Sequence, residues 1–346
     1  MFQVQQKNFT MDIYLVGYQP RYFFSKKHTN FWPWDYLVKT FNELGYNAYH
    51  LNASKIDHKK PNLYICWNQP DSLELISKYK PHKDSIIIQK LTSFDGSPES
   101  VGREWTDDPM SFFEQWHWPQ YQKLDTLNDS GYRFYAFGAK TDIESFPGKK
   151  EIVDKYNDQI FWIPWGSMIV PHERIVRATP VMDNLSYDLG FVGSRWGTKY
   201  RGNILEWDTY LKPLIDKVEN PFVAGRGTPK GPVSIDEHIS ILRHSKICPI
   251  IHATSWKVEK GIMDRFWTVF SLGRFGVMDN EGILEFYNEN EVVLARTPEE
   301  YLDKSLYFLN NPQKQIPFIE KAISRIQKEY NQQVVWDKIL TKILKK

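Results

Sequence analysis

Short apolar segments alternate with helical ones twice along this chain, and that alternation limits the fold more than any other feature. In the first series "DIYLVGY" (12–18), "YNAYHLN" (46–52), "NLYICWN" (62–68) and "SIIIQKL" (85–91) have the character of strands, and "WDYLVKTFNELG" (34–45) and "SLELISKY" (72–79) that of helices. Apolar runs separated by helices predict a parallel sheet with helices on its faces. Gly45 follows a helix that begins near Pro33 and is placed to stop it before the second strand. From 92 to 130 the pattern dissolves into turns and aromatics, which predicts a long functional loop. Strands resume at "RFYAFGA" (133–139) and "IFWIPWG" (160–166).

A second series opens with strand "YDLGFVGS" (187–194) and a helix over 200–218. Strand "PFVAG" (221–225), helix "SIDEHISILRHS" (234–245) and strand "ICPIIHA" (247–253) follow. A helix near 261–272, strands "FGVMD" (275–279) and "EVVLA" (291–295), and helix "PEEYLDKSLYFLNN" (298–311) complete it. At 346 residues the chain is long enough for two domains, each with its own core. The fold class is therefore α/β, with two Rossmann-like doubly wound domains. The first spans 1–168 and the second 187–330, joined by a linker at 169–186 that carries Pro171 and Pro180 and shows no periodicity. The last helix, about 331–346, is amphipathic with a basic end and is expected to pack outside a domain, back onto the first in one arrangement.

Composition removes several classes of function. With 41% hydrophobic and 25% charged residues the chain has the balance of a soluble globular protein. A net charge of +2 gives no global field to recruit nucleic acid or an anionic membrane. Cys66 and Cys248 lie far apart in apolar stretches with no metal spacing, as reduced core residues of a cytoplasmic protein do. No run of eighteen apolar residues occurs, and the N-terminus lacks a signal-peptide pattern. The aromatic share is 15%, with 13 tryptophans, which suits sugar stacking and core building alike.

In open α/β sheets ligands bind beyond the carboxyl ends of the strands, so residues just after strands carry most weight. Four such places stand out. "GFVGSRWGTKYRG" places Gly193, Ser194 and Arg195 after a strand, with Lys199 and Arg201 leading into a helix; small residues and a helix N-terminus suit an anion, as they also suit a plain turn. "AGRGTPKGP" (224–232) carries Arg226 and Lys230 and is either a nucleobase wrap or a connector. His252 ends an apolar strand, placed to meet a sugar or phosphate or to serve the core. In "GIMDRFWTVFSLGRFGVMDNEG" (261–282), Arg265 sits among Phe266, Trp267, Val269, Phe270 and Leu272, and Asp279, Asn280, Glu281 and Gly282 follow the next strand. An arginine so surrounded needs an anionic partner, and a phosphate is the obvious one.

From Asp188 to about Tyr330 these blocks, in this order, resemble the C-terminal domain of the CgeB/YkvP-like glycosyltransferases. The likeness to the DNA β-glucosyltransferases of phages is more distant. Both are GT-B enzymes, in which two Rossmann-like domains face a cleft and the second mainly holds a nucleotide-sugar donor. The resemblance implies that Ser194 and Arg195 contact the donor diphosphate and that Arg265 neutralises it. Where the family often has R-x-(F/W)-E, with the glutamate on the ribose, this chain has Thr268. Threonine cannot hold two hydroxyls bidentately.

The resemblance leads to an expected metal-independent glycosyltransferase moving a sugar from a nucleoside diphosphate sugar, a UDP-sugar favoured, to a hydroxyl of a glycan or other acceptor. No DxD motif occurs and no cofactor is expected beyond the donor itself. An inverting transfer needs a base, for which Asp95 in "LTSFDGS" is the candidate, ahead of Asp107, Asp108 and His117. Arg21, Lys26, Lys27 and His28 border the same side. Two alternatives stand beside this one: a two-domain protein that binds nucleotide or glycan without turnover, and a DNA-base glycosyltransferase, against which the near-neutral charge speaks.

Overall fold

A computed structural model describes residues 11–16, 34–51, 56–66, 72–91, 118–139, 147–163, 180, 182–197, 202–258 and 260–344. Six strands form the first sheet: β1 (Ile13–Val16), β2 (Ala48–His50), β3 (Leu63–Cys66), β4 (Ile86–Lys90), β5 (Arg133–Ala139) and β6 (Ile160–Ile163), in the order β2-β1-β3-β4-β5-β6. All pairs are parallel, and the register sets Leu15 beside Ile65, Ile65 beside Ile88, and Ile88 beside Tyr135. These four share one buried face, while Tyr14, Tyr64, Ile87 and Phe134 line the other. Burial on both faces explains the near-continuous apolar strands, each large side chain contributing roughly 1.5–3 kcal/mol. Gly45, at φ 88°, takes the left-handed conformation that ends the helix Trp34–Glu43.

Two helices stand where the sequence gives no helical signal. Trp118–Asp129 falls inside the stretch expected to be loop, and Pro147–Lys155 precedes β6. Tyr121, Leu124 and Leu127 bury one stripe of the first, and Ile152 and Val153 anchor the second. Both begin with proline in the first turn, a position that tolerates it and that is easily mistaken for a turn. Residues 92–117, with the rest of the expected loop, lie outside the described set.

The second sheet has three laddered strands, β7 (Tyr187–Val192), β8 (Pro221–Ala224) and β9 (Ser245–Ile247), in the order β8-β7-β9. The segments expected as two further strands join it only through single parallel bridges, Ile250 to Met278 and Met278 to Leu294. Hydrogen bonds from Cys248 N to Phe275 O (2.8 Å) and Met278 N to Val293 O (2.9 Å) hold them side by side. Both sheets thus run second strand, first strand, third strand and onward, the doubly wound order. The helix over 204–215 contains a wide turn at Trp207–Leu211, just before Pro213, which has no N–H to continue the regular ladder.

The final helix, Gln332–Leu344, belongs to the core of the first domain. Trp336 meets Phe41 and Phe137 edge-on, with ring centroids 5.2 and 5.5 Å away, and Thr40 Oγ1 donates to Gln332 Oε1 at 2.8 Å. Ala253 and Trp256, from the second domain, are buried in the same cluster. Most of the expected linker, 169–179 and 181, is outside the described residues. Both cysteines are free and buried.

Candidate functional site

The doubly wound order reverses between β7 and β9, and at such a point the loops leave in opposite directions and open a crevice beyond the strand ends. Gly193 and Ser194 leave β7 on one side of it, and His252 ends the extended segment continuing β9 on the other. The helix Asp264–Ser271 directs its N-terminus to this place, with Arg265 in its first turn. That helix forms because Phe266, Trp267, Val269 and Phe270 are all buried in the second core.

Arg265 is partly buried. Its Nη1 donates to the carbonyl of Val192 at 2.8 Å, and its guanidinium carbon lies 4.0 Å from the centre of the Phe191 ring. A Cβ on Gly193 would come within 2.1 Å of Nη2, so this glycine leaves the room the guanidinium occupies. Burial holds the arginine's pKa below its ordinary value, and the charge of the adjacent Asp264 only partly offsets this. Among the described residues no carboxylate forms an ion pair with it. The arrangement fixes a cation at the end of β7 with donors left over for an anion.

The loop after β8 packs backbone to backbone on the loop after β7. Arg195 N donates to Arg226 O at 2.8 Å, and Cβ atoms on Gly225 (φ 134°) and Gly227 (φ 78°) would fall 2.1 Å from Gly193 O and 2.3 Å from Arg195 O. The glycines of "AGRGTPKGP" therefore serve close approach. Arg226 itself is exposed, and Lys230 lies over the Phe222 ring. The Arg195 side chain reaches Asp208 at 3.2 Å and is half exposed. Thr268 lies partly buried, one turn beyond Arg265.

In the acidic turn the side chains are already engaged. Asp279 accepts from the backbone N (3.1 Å) and Nδ1 (2.7 Å) of His252 and from Lys257 Nζ at 2.8 Å. Burial pushes its carboxyl up, but these partners outweigh burial and hold the pKa below the usual carboxylate value. Asn280 Nδ2 donates to the carbonyls of Trp256 (3.2 Å) and Gly261 (2.8 Å), while its Oδ1 accepts from Gly282 N. Glu281 is exposed and bonded to Arg296 Nε at 2.7 Å. Gly282 lies against Lys260, whose carbonyl would be 1.7 Å from a Cβ.

Three residues that the sequence reading does not name join this network. Lys257 also lies over the Tyr210 ring at 3.9 Å and 4.0 Å from Glu206 Oε1, which accepts from Thr254 Oγ1 at 2.7 Å. Burial raises the Glu206 pKa above its ordinary value. No motif marks them, because they come from two separate short helices that meet only in the fold. Asp95, Asp107, Asp108, His117, Arg21, Lys26, Lys27, His28, Lys199 and Arg201 lie outside the described residues.

Residues 174–341 match a family model described as "Glycosyl transferase-like". Among solved structures, T4 phage BGT in complex with its UDP-glucose substrate superposes with a TM-score of 0.56 and 13% identity, covering 96% of this chain and 99% of that one. A DNA-modifying β-glucosyltransferase solved with and without uridine diphosphoglucose gives 0.54 and 12%, with the same coverage. An α1,3-fucosyltransferase gives 0.51 and 12%, covering 96% of this chain and 89% of that one. At such identities the likeness establishes the GT-B fold. No curated protein sequence matches the chain.

Proposed function

We propose that the protein is a glycosyltransferase that transfers a sugar from a UDP-sugar to a hydroxyl acceptor, without a metal at the diphosphate and in the cytoplasm. The observation that carries this is Arg265: a cation fixed at the switch point of the second sheet, beside a glycine that leaves it room, with no carboxylate among the described residues in an ion pair with it. In this reading Arg265 and Arg195, with the backbone at Gly193 and Ser194 and the N-terminus of the helix Asp264–Ser271, receive the diphosphate. They stabilise the charge that grows on it as the glycosidic bond breaks. The match over residues 174–341 supports glycosyl transfer by this half of the chain. Among the described residues no helix is long and apolar enough to cross a membrane.

Thr268 takes over the ribose contact with a single hydroxyl. Asp95 acts as base if the transfer inverts the anomeric centre. In this reading Asp279 and Asn280 act on the donor through His252 and the 254–261 segment, Gly282 keeps their turn tight, and the exposed Glu281 and Arg226 reach the donor from outside.

Incubating the protein with UDP-, GDP-, TDP- and CDP-sugars and measuring nucleotide release, with and without glycan acceptors, tests this. Release from a UDP-sugar that persists in chelator is expected. Binding without release from any donor would favour a non-catalytic nucleotide-binding protein, the reading that Thr268 supports. The likeness to a DNA-modifying enzyme's fold gives a second reading in which the acceptor is a DNA base. It requires retention on duplex DNA that falls steeply as salt rises.

A further inference from the structure

His252 is wholly buried, and only one side of its ring is satisfied. Nδ1 is fixed by Asp279 at 2.7 Å, whereas Nε2 has no hydrogen-bond partner among the described residues. An unpaired polar atom in an interior costs about 1–3 kcal/mol, so it calls for a partner that the described residues do not supply. The position is informative, because His252 ends the segment that flanks the switch-point crevice opposite Gly193, where Arg265 and a helix N-terminus converge. His252 also acts electrostatically on Asp264, the residue next to Arg265.

The surrounding charges come from every element packed here. Asp279 lies on the turn after the neighbouring extended segment, Lys257 on the helix Thr254–Val258, Asp264 and Arg265 on the helix Asp264–Ser271, and Glu206 on the helix Ile204–Glu206. Burial keeps two further groups neutral: the Tyr301 hydroxyl is raised well above its ordinary value and the Cys248 thiol to about 12. Lys257 and Arg265 thus face three carboxylates, two of which, Asp264 and Glu206, burial pushes above their ordinary pKa. These five groups carry no surplus of positive charge to offer a diphosphate. One more proton brings them to balance; among the described residues His252 Nε2 and Glu206 Oε2 are the buried atoms of this cluster without a partner, and Nε2 belongs to the residue that flanks the crevice.

We infer that binding of a nucleoside diphosphate sugar draws a proton from solvent onto His252 Nε2, which then donates a hydrogen bond to the diphosphate, with Asp279 and Lys257 as positioning residues. This rests on the reading of Arg265 as the diphosphate site and deepens it. The proton is held by Asp279 through Nδ1–H, so the imidazolium stays oriented as charge builds on the leaving group.

Calorimetric titration with UDP-glucose in two buffers of different ionisation enthalpy reads the proton directly, since this donor has no group titrating near neutrality. At about pH 7.5 the wild-type protein takes up about one proton per UDP-glucose bound, and His252→Gln takes up none while binding roughly tenfold more weakly. Asp264→Asn retains the uptake. In parallel, ring-labelled histidine NMR of the wild-type protein shows one buried imidazole passing to the doubly protonated form on saturation with UDP-glucose, a readout that does not depend on a variant folding. Binding with no proton uptake, uptake that survives in His252→Gln, or uptake lost in Asp264→Asn overturns this inference and leaves the diphosphate site standing. Failure of UDP-glucose to bind at all overturns the UDP-sugar reading and this inference with it.

Discussion

The two sheets share a strand order and differ in what their strands carry. In the first, β1 to β6 pair over full ladders, and both faces are filled by aliphatic and aromatic side chains down to Val16, Cys66 and Ile163, with polar ends at β2 (His50) and β4 (buried Gln89 and Lys90). In the second, three short strands are continued by single bridges, and their ends carry Gly193, Gly225, His252 and Asp279. Regular pairing and two filled faces make the first half a scaffold over its described residues. The second half gives up ladder hydrogen bonds for side-chain and backbone groups aimed at one place. Irregularity at strand ends accordingly marks the chemistry, and regularity marks the support.

Substitutions in the two halves should separate these roles. Trp336→Ala, in the scaffold core, is expected to cost about 3–5 kcal/mol in urea unfolding while leaving nucleotide affinity of the folded protein unchanged. Because Ala253 and Trp256 of the second domain share this cluster, a change in affinity at temperatures where the variant is folded would show that their contact carries the loss to the site. Next, Lys257→Met removes one partner of buried Asp279 and should cost up to about 3 kcal/mol at neutral pH. The acid side has a definite sign. The folded pKa of Asp279 is depressed, so its contribution is present above the unfolded carboxylate value and is lost as pH falls through the folded one. The loss of stability on going below about pH 4 should therefore be shallower in Lys257→Met than in the wild type.

Gly193→Ala sets the new Cβ 2.1 Å from Arg265 Nη2, the end of a long side chain that can shift, and 3.1 Å from the Phe191 ring. It should weaken nucleotide binding by about 1–2 kcal/mol with little loss of stability. Gly225→Ala meets backbone at 2.1 Å and should show the reverse pattern. Equal effects of the two on stability would mean that the Arg265 side chain is locked in place. The smallest effect is at the exposed pair of Arg195 and Asp208, where Asp208→Ala should change stability by less than about 1 kcal/mol. If Arg195 serves the diphosphate, freeing it from Asp208 should strengthen nucleotide binding slightly.

The same contrast explains what the sequence makes legible. Apolar runs such as "IIIQK" and "LYIC" are visible because burial on both faces demands them, and Gly45 is visible because a left-handed helix end does. The helix Trp118–Asp129 escapes because its buried stripe is only Tyr121, Leu124 and Leu127 amid polar residues. At the site Arg265 is legible as a cation set in an apolar helix. Lys257, Glu206 and Thr254 are not, since each is an ordinary surface residue type on a short helix that only tertiary packing brings to Asp279. The acidic turn was visible as a cluster, but its chemistry depends on bonds from His252 and the 254–261 segment that no spacing encodes.

The central claim is that Arg265 receives a diphosphate, and thermal unfolding of the wild-type protein and Arg265→Ala, each with and without UDP-glucose, tests it most directly. At a hundred times the dissociation constant the ligand should stabilise the wild-type protein by about 2.7 kcal/mol. Arg265→Ala should unfold cooperatively near the wild-type temperature and show no response to the ligand. An equal ligand-induced shift in both proteins would contradict the account and leave Arg265 as a brace between Val192 and Phe191.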